Sequence, residues 1–150
     1  MNLILWRHAE AEDSDDDLPR QLTAKGRRQA ERMGAWLEGH LPDKYRVLCS
    51  RARRSQDTAR ALTGRFSIDP GIDPGASYAA VLAAVNWPQA SGTVVVVGHQ
   101  PTLGEVASMI LAGAPADWSI RKGALWWISS RERGGMRETV LRAVISPDLL

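Results

Sequence analysis

The run Thr93-Val-Val-Val-Val97 is followed at once by Gly98 and His99, and this abrupt change from β-branched to polar residues constrains the chain more than any other feature. Five consecutive residues of this type suit a strand buried on both faces, as in a parallel sheet, rather than one with a solvated side. Two shorter runs behave in the same way. Leu3 to Trp6 ends on Arg7 and His8, and Arg46 to Cys49 ends on Ser50, with Arg51, Arg53 and Arg54 close behind.

Between the first two runs, Ala30, Met33, Leu37 and Leu41 recur at helical spacing, with Thr23 as N-cap and "LPDK" as a stop, which predicts a helix over about residues 24–40. Further helices are expected over about 54–63, about 78–85 and after Pro101. Strands alternating with helices imply a mainly parallel sheet with helices on both faces, a three-layer α/β sandwich, because parallel neighbours need crossover connections. The last third differs. "ALWWIS" and "ETVLRAVIS" flank "SRERGGMR", a hairpin with Gly134 and Gly135 in its turn, expected to extend the sheet at an edge.

The 150 residues fit a single domain, residues 1–150, with 44% apolar and 24% charged residues in the ordinary globular range. Cys49 is the only cysteine, so the fold needs no oxidising compartment, and its place at the end of an apolar run predicts a buried thiol. Nowhere do ~18 apolar residues run together, and the start lacks a signal-peptide core, so a cytoplasmic protein without membrane contact is expected. Arginine far outnumbers lysine, but the net charge is only +2, and a nucleic-acid partner is not expected from an arginine excess that suits acidic substrates or a solvated face equally well.

In open α/β sheets ligands bind outside the carboxyl ends of the strands. There the three runs would deliver Arg7 and His8, the arginines after Ser50, and Gly98 with His99. Guanidinium groups bind phosphate two-pronged and stay charged, and a neutral imidazole can accept a phosphoryl group and so divide one difficult transfer into two. His8, beside Arg7, is the better nucleophile candidate. His99 suits donation to phosphoryl oxygens, and Gly98 would let the backbone approach a ligand. These residues alone leave Arg51, Arg53 and Arg54 open as the second phosphate-binding arginine.

No cofactor is expected, and a metal site from His8, His99 and Glu10 is disfavoured because the nearby arginines would repel a cation. P-loop, dinucleotide and serine-hydrolase motifs are missing. The acidic tract Glu10 to Asp17 reads as a solvated loop, Arg20 as a residue that steadies it, and His40 as a surface or helix-capping residue.

Through "LWRHAEAE", "RQLTAKG", "VLCSRARRSQDTA" and "VVVVGHQPTL", the chain resembles the histidine phosphatase superfamily, and within it the small SixA-like phosphohistidine phosphatases, over about residues 1–112. The resemblance implies a phosphoglycerate mutase-like fold in which His8 is the phosphorylated nucleophile and Arg7 and His99 line the phosphate pocket. It also selects Arg54, four residues after Ser50, as the second pocket arginine. Ala9 replaces the glycine common after the histidine, and Asp57 stands where glutamine is common.

Larger members of the superfamily place an acidic residue in an insertion between the second helix and the third strand, to protonate a departing alkoxide. Here that stretch is short, and Asp69 and Asp73 are its only carboxylates. General acid help contributes ~10²- to 10⁴-fold to such steps. Its absence favours hydrolysis of phosphohistidine, whose imidazole leaves more easily, on a protein that reaches an open pocket. Two alternatives stand beside this expectation: a phosphatase of small phosphate esters using Asp69, Asp73 or Glu10 as acid, and a module that binds phosphate or phosphoprotein without turnover. A monomer is expected.

Overall fold

The structure, a computed structural model, describes residues Met1–Leu150. Six strands, β1 (Asn2–Arg7), β2 (Arg46–Cys49), β3 (Ser67–Ile68), β4 (Thr93–Gly98), β5 (Leu125–Arg133) and β6 (Met136–Ile145), form one sheet in the order β3-β2-β4-β1-β5-β6. The four helices are α1 (Ala24–His40), α2 (Arg53–Arg60), α3 (Tyr78–Val85) and α4 (Thr102–Ala112). β1 to β4 run parallel to one another, and β5 and β6 are antiparallel to their neighbours.

Because successive side chains of a strand point to opposite faces, a strand buried on both sides feeds two separate cores. Leu3 and Leu5 of β1, with Val94 and Val96 of β4, pack against Val81 and Val85 of α3 and Leu103 and Val106 of α4. The intervening Ile4, Trp6, Val95 and Val97 pack against Met33 and Leu37 of α1 and Ala59 of α2. Every residue of β4 is buried. Each such large aliphatic side chain contributes ~1.5–3 kcal/mol on burial, which is why the middles of these strands are apolar on both faces.

Thr23 caps α1, its hydroxyl accepting from the Gly26 amide at 2.9 Å. At the other end the His40 ring donates from Nδ1 to the Trp36 carbonyl at 2.6 Å, the capping role expected of it. Helix α2 is shorter than expected and ends at Arg60, with Ala61 and Leu62 in the turn that follows. Strand β3 adds to the expected elements: its two exposed residues carry no alternation to read. Gly134 and Gly135 occupy the β5–β6 turn at φ 60° and 78°, the left-handed values a two-residue hairpin turn needs. Cys49 is buried, and burial pushes its thiol up to about 11.

Candidate active site

The sheet register sets the geometry. Arg7 at the end of β1 lies opposite Gly98 at the end of β4, so the residues that follow, His8 and His99, emerge side by side. Their ring centroids are 5.1 Å apart. The His8 amide donates to the Gly98 carbonyl at 3.0 Å, which carries the pairing one residue beyond the strand. Arg54, the second residue of α2, completes the group from the helix that follows β2, the other neighbour of β4.

His8 is 7% exposed. Its Nδ1 lies 2.7 Å from the Ala9 carbonyl. A carbonyl only accepts, so Nδ1 carries the proton and Nε2 presents a lone pair. Arg54 agrees with this assignment by donating from Nε to His8 Nε2 at 3.4 Å. Burial pushes the His8 imidazole down to about 4, with the charges of Arg54, Arg7 and Arg20 adding to the effect and the Ala9 carbonyl opposing it. The ring is neutral at pH 7 and its Nε2 is the free nitrogen.

His99 is oriented the opposite way. Arg54 Nη2 donates to its Nδ1 at 3.4 Å, which leaves the proton on Nε2, where it is donated to Ser50 Oγ at 2.7 Å; Ser55 Oγ lies 3.2 Å from the same nitrogen. Burial holds His99 down to about 3, reinforced by His8, Arg54 and Arg7 and opposed by Asp17. Ser50 also accepts from the Ala52 amide, so one hydroxyl fixes both the ring and the start of α2.

Arg54 is 4% exposed and Arg7 half-buried; burial lowers the pKa of both, yet a guanidinium retains its charge. Arg7 Nη1 donates to the Ile120 carbonyl at 2.9 Å, whereas its Nε is a buried donor with no acceptor in the protein. Such a group costs ~1–3 kcal/mol until an acceptor reaches it. The arrangement thus combines two guanidiniums, one with an unsatisfied donor, which suit an anion, and an imidazole lone pair, which suits attack on an electrophile held there.

Gly98 also stands at this edge, but the space its missing side chain leaves is used for packing: a Cβ there would meet Ile72 at 3.2 Å and Leu103 at 3.3 Å. The two other arginines left open by the sequence are engaged elsewhere, Arg51 with Asp73 and Arg53 with Asp57. Asp69 accepts from the Gly71 amide, and Glu10 accepts from the Thr23 hydroxyl. None of Asp69, Asp73 and Glu10 is hydrogen-bonded to His8, His99 or Arg54.

The carboxylate that does reach the group is Asp17, which no local signal separates from its acidic neighbours in the tract. It accepts from Arg54 Nη2 at 3.2 Å and from Arg20 Nη1 at 3.1 Å. Partial burial pushes its pKa up, but the hydrogen bonds from Arg20 and Arg54 outweigh this, so that it is lowered on balance. Sequence reasoning misses Thr58 as well; its hydroxyl accepts from the Ala9 amide at 3.0 Å and holds the backbone beside His8.

Fold and site together define an α/β protein with a histidine–arginine anion pocket at the carboxyl ends of parallel strands. A sequence model of the histidine phosphatase superfamily (branch 1) matches residues 3–77. A phosphohistidine phosphatase SixA homologue of Haemophilus influenzae is 32% identical over 124 residues, covering 72% of this chain and 76% of that protein. Among solved structures, the protein histidine phosphatase SixA complexed with tungstate superposes with a TM-score of 0.83 at 22% identity, covering 99% of both chains. A candidate SixA from Nakamurella multipartitia gives 0.77 at 28% identity over 97% of this chain and 95% of that one. The chain belongs to the histidine phosphatase superfamily and is a phosphatase of that class.

Proposed function

We propose that the protein hydrolyses phosphohistidine on a partner protein through a phosphorylated His8, without a metal. The observation that carries this reading is the tautomer of His8: with Nδ1–H bound to the Ala9 carbonyl, Nε2 offers its lone pair at neutral pH beside the Arg54 guanidinium. In the first step Nε2 attacks phosphorus, the P–N bond to the substrate imidazole breaks, and that imidazole takes up a proton from solvent. Water then attacks the phosphorus on His8, releases inorganic phosphate and restores Nε2.

Arg7 and Arg54 neutralise the phosphoryl oxygens, and the unpartnered Nε of Arg7 gains an acceptor. His99 donates to those oxygens only with a proton on Nδ1. A phosphoryl dianion beside it favours that protonation, which burial opposes in the free enzyme. In this reading charge neutralisation falls to the two arginines.

Support for phosphohistidine over a phosphate ester comes from the carboxylates. Asp69 accepts from the Gly71 amide, Asp73 is paired with Arg51, and Glu10 is bonded to the Thr23 hydroxyl, so none of them is directed at the histidines; Asp17, which does reach Arg54, is held ionised by Arg20 and Arg54. Phosphate release from a phosphohistidine protein, measured beside an alkyl phosphate without added metal, tests the reading. Release from the first alone is expected. Equal ester hydrolysis would overturn the assignment of substrate, and turnover of neither would favour the binding module.

A further inference from the structure

Several basic side chains that the phosphoryl chemistry leaves unused collect in one place. Lys25, Arg28 and Arg32 lie three and four residues apart along α1 and so share a face. Opposite them, Arg121 and Lys122 precede β5, and together with Arg7 these residues line a concavity of about 590 Å³. Arg7 connects it to the reacting centre, since it adjoins His8 in the chain and donates to the carbonyl of Ile120, next to Arg121.

The charges here are poorly balanced. Six cations face two carboxylates, Glu10 and Asp148. Glu10 is occupied by the Thr23 hydroxyl and lies 3.9 Å from Lys25, and Asp148 accepts from the Ser146 hydroxyl while sensing the charge of Arg121. Arg32 makes only a long contact, 3.4 Å, to the Leu150 main-chain oxygen. Arg28, Arg121 and Lys122 form no ion pair within the chain. Charged heads in this excess favour an anionic ligand.

We propose that the trough docks an acidic segment flanking the phosphorylated histidine of the substrate protein, a proposal that rests on the phosphohistidine reading above. Arg7 then serves both sites, with the phosphoryl group on one side and the entrance to the trough on the other. Exposed charges arranged in this way raise encounter rate and select partners more than they add buried contact energy, and their effect falls with salt.

Two synthetic peptides test it, each carrying one phosphohistidine followed by three glutamates or by three glutamines. The wild-type enzyme is expected to favour the glutamate peptide by about tenfold in kcat/KM at low salt, through KM rather than kcat, with the preference shrinking as salt rises. The triple variant Arg28→Glu, Arg121→Glu, Lys122→Glu should lose or reverse the preference. Equal turnover of the two peptides by the wild type, at every salt concentration, overturns the docking proposal and needs no variant to fold. Phosphoramidate, too small to reach the trough, separates the two readings: its hydrolysis with equal peptide rates leaves the phosphohistidine chemistry standing. Failure of all three substrates overturns that chemistry and the docking with it.

Discussion

Arg54 is joined twice to Asp17: Nη1 donates to the Asp17 main-chain oxygen at 2.9 Å and Nη2 to its carboxylate at 3.2 Å. The same Nη2 reaches His99, and Nε reaches His8, so the guanidinium enters the reaction with most of its donors already taken. In the proposed reaction a phosphoryl group would compete with Asp17 for this fork.

Asp17→Ala should therefore bind tungstate, an oxyanion that mimics phosphate, more tightly by up to about fivefold, the upper end expected for removing a half-exposed competing ion pair worth ~0.2–1 kcal/mol. Titration calorimetry measures it. Weaker binding would show that Asp17 positions Arg54 rather than competes for it.

Arg54→Lys keeps the charge but removes the planar fork that spans His8, His99 and Asp17. Loss of a preorganised donor of this kind costs ~10²- to 10³-fold in kcat. Steady-state phosphate release checks this, and a variant within threefold of wild type would show that a point charge suffices.

The pH dependence follows from two depressed histidines. His8 at about 4 and His99 at about 3 stay neutral in the fold, whereas unfolded histidine takes up a proton near 6.5. Below that value the unfolded state binds more protons, so the stability both rings contribute is complete above about pH 6.5. It declines as pH falls from there through about 4 for His8 and about 3 for His99, each ring losing about 1.4 kcal/mol for every pH step of one within its own window. Urea melts between pH 7 and 4 should show a falling midpoint. In the same experiment kcat/KM, corrected for spontaneous hydrolysis, should keep its acid limb well below 6.5; a limb at 6.5 would mean that His8 titrates as an exposed imidazole.

Asp69→Ala tests the discounted acid. Its carboxylate accepts from the Gly71 amide at 2.8 Å, so its removal should cost roughly 1 kcal/mol in denaturant unfolding, as for other lost caps, with kcat unchanged. A large fall in ester or phosphohistidine turnover would return Asp69 to the chemistry.

How much of the fold and site can be read from the chain depends on whether the signal is local. Arg7, His8 and His99 follow apolar runs immediately, and the end of a buried strand is where a polar residue most plainly has a purpose. Arg54 is not separable from Arg51 and Arg53 by residue type; the spacing from Ser50 supplied by the family resemblance selects it, and the partners Asp73 and Asp57 of the other two explain why they stay outside. Asp17 is illegible because its role depends on the path of the loop between β1 and α1. Nothing near it says which acid of the tract turns back toward α2. The small residue at Gly98 reads as room for a ligand, whereas Ile72, distant in sequence, and Leu103, near the start of α4, are what fill that space.

The central claim concerns one nitrogen, His8 Nε2, and the most direct test is to trap and map the phosphoenzyme. Wild-type protein mixed with phosphoramidate and quenched in alkali, where phosphohistidine survives, should yield a His8 peptide carrying phosphate on Nε2 by mass spectrometry and ³¹P NMR, and His8→Asn should yield none and turn over no substrate. Phosphate release by His8→Asn at a rate near that of the wild type, or a phosphate found on another residue, would contradict it.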